Sequence, residues 1–136
     1  MSGFTRGEVE YVRDQQLGRL ATVNGSGTLH VVPVGFRYNP ELGVLDVRGR
    51  NLGQTKKFRD VSRTGRVAFV VDDVLRSTRS APWRARGVEV RGRAEALEGD
   101  AGSGTGGELI RIFPERIVGW GIDADAPVPN ARTIPG

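Results

Sequence analysis

Apolar and polar positions change phase several times along the chain, and the changes mark its elements. Thr5-Arg-Gly-Glu8 has the spacing of a capping box. Val9 and Val12 share one face of the next segment, with Leu17 just beyond, so an amphipathic helix is expected to about Gln16. Leu17-Gly18 ends it, and a short strand is expected over 19–23. Asn24-Gly-Ser-Gly27 reads as a hairpin turn, because asparagine and glycine tolerate positive φ. A long strand is expected over 29–38. Pro33 inside it removes a ladder donor and marks an edge or a bulge. Asn39-Pro-Glu-Leu-Gly43 is a second turn, and 44–48 alternates as a strand does.

The second half has the same rhythm. A short basic helix is expected over 53–62 and a valine-rich strand over 66–72. An irregular loop with Trp83 is expected over 73–85. In 87–97, Val88, Val90, Ala94 and Ala96 fall on one face, and Glu89, Arg91, Arg93 and Glu95 on the other. Residues 99–107 form a glycine- and serine-rich connector. A last strand region over 109–122 is broken by Pro114, and the proline-rich tail (124–136) is expected to be extended. Short strands, tight turns and two short flanking helices predict a mainly β, antiparallel barrel. Its expected core is Leu20, Val32, Val34, Val47, Val67, Phe69 and Val90. No internal repeat or domain boundary is visible, so residues 1–136 are read as a single domain.

Composition narrows the chemistry. The chain has no cysteine and one histidine, His30. Disulfides, thiolate metal sites and a cysteine nucleophile are excluded, and a histidine-based metal site or triad within one chain is hard to build. No apolar run reaches the roughly 18 residues of a membrane span, and residues 1–8 lack an apolar signal core, so a cytoplasmic, metal-free protein is expected. Net charge is +4, from 20 Lys+Arg against 16 Asp+Glu. That charge suits a solvated arginine-rich surface or a polyanionic small molecule. Nucleic acid is disfavoured, because the few aromatics are not interleaved with the basic residues.

The most informative stretch runs from Arg48 to Val71. It leaves a strand, turns through glycine, enters the basic helix and exits into another strand. Free backbone N–H groups at a lysine-rich helix start make a phosphate site. Arg50, Thr55, Lys56 and Lys57 supply convergent donors and charge. The plainer reading is a solvent-exposed basic helix. Val31-Val-Pro-Val-Gly-Phe36 is apolar on both faces and fits either a buried central strand or a wall for a planar ring. Trp83 and Trp120 can each be core, ligand wall or interface anchor. No carboxylate pair stands out for acid–base work. Asp72-Asp73 reads as a strand end facing water, and His30 as a surface or satisfied residue rather than a catalyst.

Several segments, in order, carry a resemblance. Leu17-Gly-Arg-Leu-Ala-Thr-Val23, Gly27-Thr-Leu-His-Val-Val-Pro-Val-Gly-Phe36, Thr55-Lys-Lys-Phe-Arg59, Arg66-Val-Ala-Phe-Val-Val-Asp-Asp73, Arg86-Gly-Val-Glu-Val-Arg-Gly92 and Arg116-Ile-Val-Gly-Trp-Gly121 are similar to the pyridoxamine 5′-phosphate oxidase-like family. Within it they most resemble the branch of deazaflavin (coenzyme F420)-dependent oxidoreductases. The resemblance implies an FMN-binding type of split β-barrel forming a homodimer with two flavin-type sites between subunits. It implies that Val31, Val32, Pro33 and Val34 line the ring system, that Arg48, Arg50 and Asn51 run beside it, and that Thr55, Lys56 and Lys57 bind the phosphate. It also implies that Trp120 and the Asn130-Ala-Arg132 tail reach toward the partner's cleft. Many relatives have a helix where this chain has the 99–107 connector.

The resulting expectation is an F420-dependent oxidoreductase transferring hydride to an unsaturated small-molecule substrate. The cofactor carries the chemistry and the protein orients it. No catalytic residue is named, and solvent can supply the proton. An FMN-binding oxidoreductase and a non-catalytic flavin or deazaflavin carrier are the alternatives. The members of the family differ in chemistry, and the chain lacks the C-terminal pattern specific to pyridoxal, so oxidation of pyridoxamine phosphate itself is not expected.

Overall fold

Antiparallel pairing organises most of the chain. The structure, a computed structural model, describes residues 3–76, 83–98, 107–123 and 129–135, without the side chains of Arg76 and Trp83. The elements are α1 (Arg6–Arg13), β1 (Leu17–Val23), β2 (Leu29–Asn39), β3 (Val44–Arg48), a 3-10 turn (Leu52–Gln54), α2 (Lys56–Thr64), β4 (Arg66–Arg76), β5 (Trp83–Leu97), β6 (Leu109–Trp120) and β7 (Asn130–Thr133). The strands form one sheet in the order β3-β2-β1-β4-β5-β6-β7, and a further β3–β6 pairing closes the first six into a barrel. Closure pairs residues 45–47 of β3 with residues 110–112 of β6, so these segments expose no open edge.

The barrel is filled by residues at alternate positions along the strands. Leu20, Leu45, Val47, Phe69, Val90, Ile110, Ile112 and Ile117 are fully buried. Burying a side chain of this size stabilises by about 1.5–3 kcal/mol relative to leaving it exposed. Of the expected core, only Val32 is half-buried rather than buried. Phe36 meets Phe69 edge-on, with ring centroids 5.0 Å apart.

Closure also carries a buried ion pair. Asp46 and Arg111 stand directly opposite each other on β3 and β6. Arg111 donates from Nε and Nη2 to the Asp46 carboxylate at 2.9 and 3.1 Å, and Asn39 adds a bond of 3.2 Å. The Asp46 hydrogen bond raises the Arg111 pKa although burial opposes the charge. On β6 the inward phase switches from Ile110 and Ile112 to Ile117, because Gly92 pairs with Pro114 while Arg91 pairs with Arg116. This bulge takes up Pro114, which the sequence reading placed as a break. A Cβ on Gly92 would overlap the Phe113 carbonyl, so only glycine fits opposite it.

Other boundaries differ from the sequence reading. Helix α1 has the expected capping box, with Thr5 accepting from the Glu8 N–H and Glu8 from the Thr5 N–H. It ends at Arg13, and Leu17 and Gly18 open β1 instead of closing the helix. Helix α2 starts at Lys56 rather than Gly53, because Leu52–Gln54 form a separate 3-10 turn. It ends on Gly65 at φ 66°, a left-handed position that glycine fills without strain. Residues 73–76 and 83–85 are not irregular: Val74 pairs with Ala85 and Leu75 with Arg84. Loop 77–82, connector residues 99–106 and tail residues 124–128 lie outside the described residues.

Candidate cofactor site

Strand β2 has two unlike halves. Residues 29–35 pair with β1 and residues 35–39 with β3. Residues 29–34 therefore have β1 on one side and, among the described residues, no strand on the other. Pro33 lies in this half, and its register with β1 is unbroken, so it marks an edge and not a bulge. The free edge offers backbone groups to a ligand.

Alternation sorts the side chains of this half. Leu29, Val31 and Pro33 point outward, with Leu29 78% and Val31 65% exposed. His30, Val32 and Val34 point into the barrel, and Val34 is buried. Val31 and Pro33 thus present side chains to the outside, while Val32 and Val34 can contribute only backbone there. The outward face continues as an apolar patch. Val31 lies beside Ala21 and then Ala68, and Leu29 lies beside Val23. Further along, Gly35 faces Arg48, and a Cβ on Gly35 would meet no atom within 4 Å.

The chain from Arg48 leads to the helix start. Asn51 takes a left-handed conformation (φ 54°, ψ 36°) that asparagine tolerates better than most residues, and it turns the backbone into the 3-10 segment. Thr55 caps α2, accepting from the Phe58 N–H at 3.3 Å and donating to the Leu52 carbonyl at 2.7 Å. Its hydroxyl is thus engaged within the chain. Lys56 is engaged too, with Nζ 3.4 Å from Asp60 Oδ1. Among the described residues, the Lys56 and Lys57 N–H groups, the Lys57 ammonium and the Arg48 and Arg50 guanidiniums have no hydrogen-bond or ion-pair partner. These groups together form a cationic helix start with open donors.

Asp60 is held under this helix start. It is buried, and the Thr22 hydroxyl donates to it at 2.8 Å. Burial opposes its charge, but the bonds from Thr22 and Lys56, with the Lys56 and His30 fields, together hold its carboxyl below the usual range. His30 lies opposite Thr22 on the inner face, and its Nδ1 is buried without a hydrogen-bond partner. The sequence reading passed over Asp60. The i, i+4 spacing from Lys56 was its one visible signal.

Two expected contributors lie elsewhere in the chain. Trp120 ends β6 opposite Gly87, whereas β6 meets β3 through residues 110–112. At about 3.3 Å per residue, that places Trp120 far along the strand from Arg48. Within the tail, Asn130–Thr133 forms β7 on β6, and Arg132 donates to Glu8 and to the Gly3 carbonyl. Asp73 is no water-facing strand end. It receives Arg86 Nε and Nη2 at 2.7 and 3.0 Å and the Tyr11 hydroxyl at 3.0 Å. The Arg86 hydrogen bond is the main cause of its lowered pKa, against the effect of burial. Tyr11 is raised by burial and by this carboxylate. Among the described residues, no cluster of three or more His, Asp or Glu side chains could hold a metal ion, and no helix is long and apolar enough to cross a membrane.

Known proteins are similar to this chain in sequence and in fold. The profile of the pyridoxamine 5′-phosphate oxidase family matches residues 5–134. The chain is 44% identical over 131 residues to a Streptomyces rimosus protein named 5a,11a-dehydrotetracycline/5a,11a-dehydrooxytetracycline reductase, covering 90% of this chain and 86% of that one. General stress protein 26 of Bacillus anthracis has a similar fold, with a TM-score of 0.67 at 20% identity over 94% of this chain and 96% of that one. The FAD-binding protein of Mycobacterium smegmatis gives a TM-score of 0.62 at 20% identity over 88% and 96%. The matched profile spans both the barrel and the α2 helix start, and the chain belongs to the pyridoxamine 5′-phosphate oxidase family, a family of oxidoreductases built on the split β-barrel.

Proposed function

We propose that this chain is a coenzyme F420-dependent reductase of a conjugated carbon–carbon double bond in a fused-ring small molecule. The observation that carries this reading is the 44% identity, over nearly the whole chain, to a protein named as a reductase of 5a,11a-dehydro compounds. The residues present fit a planar cofactor with a phosphate. The unpaired edge at 29–34 and the exposed Val31 and Pro33 suit a ring system, and the unpartnered donors at Lys56 and Lys57 suit a phosphate. The free cations Arg48, Arg50 and Lys57 favour the deazaflavin over FMN, because a polyglutamate tail adds negative charge.

In this reading the α2 N–H groups and Lys57 Nζ hold the phosphate, and Lys56 is a weaker contributor because Asp60 holds it. Thr55 keeps the helix start in shape through its cap. The backbone of 31–34 orients the ring, with Arg48, Arg50 and Asn51 alongside. When bound, a reduced deazaflavin supplies a hydride in a two-electron step. The outward patch of Leu29, Val31, Val23, Ala21 and Ala68 is the surface on which a second copy packs, forming a homodimer that excludes water from the ring. Trp120 then serves the partner's cleft rather than its own.

The purified protein should be titrated with F420, FMN and FAD, and then given reduced F420 and a 5a,11a-dehydrotetracycline under anaerobic conditions. Tightest binding of F420, with acceptor-dependent oxidation of the reduced cofactor, is the expected result. Isolation as a yellow protein that prefers FMN would move the assignment to a flavin enzyme. F420 binding without turnover of any acceptor would leave a carrier.

A further inference from the structure

Asp60 lies under the helix start and offers no donor to an anion there, yet it controls one of the two lysines. Its side chain is 5% exposed. The Thr22 hydroxyl donates to Oδ2 at 2.8 Å, and Lys56 Nζ stands 3.4 and 3.5 Å from Oδ1 and Oδ2. Among the described residues no other ammonium or guanidinium is bonded to this carboxylate. His30, beside Thr22 on the inner face, leaves its Nδ1 without a hydrogen-bond partner and so does not take over that role.

A buried carboxylate needs a counter-charge, and Thr22 fixes where this one sits. The Lys56 ammonium is thereby committed to a residue one turn further along α2. The Thr55 hydroxyl proton is committed as well, to the Leu52 carbonyl at 2.7 Å. An anion at the helix start is left with the Lys56 and Lys57 N–H groups and the Lys57 ammonium. That is one full positive charge and the helix terminus, roughly half a charge. Arg48 and Arg50 precede the 3-10 turn and are assigned alongside the ring. One negative charge suits this set better than two. A phosphate diester carries one charge and two terminal oxygens, whereas a monoester carries close to two charges and three oxygens at neutral pH.

We infer that Asp60 is a positioning residue that sets phosphate selectivity. By holding Lys56 it matches the helix start to a singly charged phosphodiester over a doubly charged monoester. This rests on the reading above for one point, that a cofactor phosphate binds at the helix start. The deazaflavin carries its phosphate as a diester and FMN as a monoester, so Asp60 favours the first by withholding a charge from the second.

The probes are the deazaflavin 5′-phosphate and its methyl ester, or FMN and its methyl ester where the flavin ring binds more tightly. Each pair shares one ring and differs by about one charge at pH 8. Fluorescence titration of the parent should give the methyl ester at least the affinity of the monoester. Asp60→Asn should free the ammonium and move the ratio about fivefold toward the monoester. Adding Lys56→Met should return the ratio to the parent value, because the pair is then removed as a neutral unit. Replacing both members of a buried pair is tolerated better than removing one, so the double variant decides the matter even where Asp60→Asn is too unstable to titrate. A pair that only stabilises the helix would change the melting temperature and leave the ratio alone.

A parent that prefers the monoester would overturn the inference. So would a ratio unmoved in Asp60→Asn, or one that stays raised or drops below the parent value in the double variant. Lys57→Ala separates this from the reading beneath it, since it should weaken both esters. If it weakens neither, or if neither ring binds the parent, the phosphate site and the inference fall together. If it weakens both while the ratio fails to move, the inference falls alone.

Discussion

Arg132 on the last strand donates through both terminal guanidinium nitrogens to the buried carboxylate of Glu8 on the first helix. Its Nε and Nη2 also reach the Gly3 carbonyl, at 3.1 and 2.9 Å. Glu8 in turn accepts from the Thr5 N–H at the helix cap, so β7, α1 and the N-terminal segment share one polar junction. Removing the guanidinium leaves a buried carboxylate without its counter-charge. Arg132→Met should therefore lower stability by about 3 kcal/mol in urea unfolding. Adding Glu8→Gln should recover part of the loss. A loss below about 0.5 kcal/mol would mean that the clasp is solvated and contributes little.

Gly119 on β6 lies against the same carboxylate, and a Cβ there would overlap it. Gly119→Ala should destabilise by about 1–3 kcal/mol. Because it acts through Glu8, its effect should not add to that of Arg132→Met in a double-mutant cycle. Simple additivity would show two independent effects.

Asp60 gives the acid side of the stability profile a sign. Its folded pKa is lowered, so its contribution is complete above the unfolded value of about 3.9. At lower pH the unfolded chain takes up the proton first, and the contribution disappears as pH falls through the folded pKa. Asp60→Asn should cost about 1–3 kcal/mol at pH 7 and flatten the loss of stability below about pH 4. Denaturation midpoints from pH 3 to 7 measure both. An acid limb as steep as that of the parent would assign the dependence to other carboxylates, Asp73 first.

The helix start separates its two lysines. Lys57→Ala should weaken F420 binding by about 1–3 kcal/mol. Lys56→Ala should cost less affinity, since Lys56 is already committed to Asp60, and it should cost some stability. Fluorescence titration at two salt concentrations tracks both, with weaker parent binding at higher salt. Unchanged affinity in the double variant would place the cofactor elsewhere.

The apolar outer face makes assembly testable. Leu29 and Val31 are large, exposed and adjacent to Val23 and Ala21. A two-fold dimer covering this face, with an interface above about 2,000 Å², should be split by Leu29→Asp, Val31→Asp in analytical ultracentrifugation. A parent protein that sediments as a monomer at micromolar concentration would remove the dimer, and a variant that remains dimeric would move the interface.

Much of the barrel was legible because strand and helix periods are local properties. Thr5 and Glu8 are three residues apart, and the capping box could be read directly. The alternation of Val88, Val90 and Ala94 identified the inner face of β5. Pro33 marked the half-edge of β2, since a missing N–H is tolerated where no neighbour needs it. The irregular reading failed at 73–76 and 83–85, where charged Asp73 and Arg84 hid strand ends whose ladder is made by backbone groups.

Lysines after a strand and a turn pointed to the helix start, and sequence order alone led there. Its Thr55 and Lys56 are engaged by neighbours three and four residues away, whereas the partners of the buried carboxylates come from across the fold. Thr22 and Asp60 are 38 positions apart, Asp46 and Arg111 are 65 apart, and Glu8 and Arg132 are 124 apart. A charge in a linear sequence shows its sign but not its partner, because partnering depends on distances set only when β3 closes on β6 and β7 adds to the sheet. Those closures bury Asp46 with Arg111 and bring Arg132 of β7 onto Glu8.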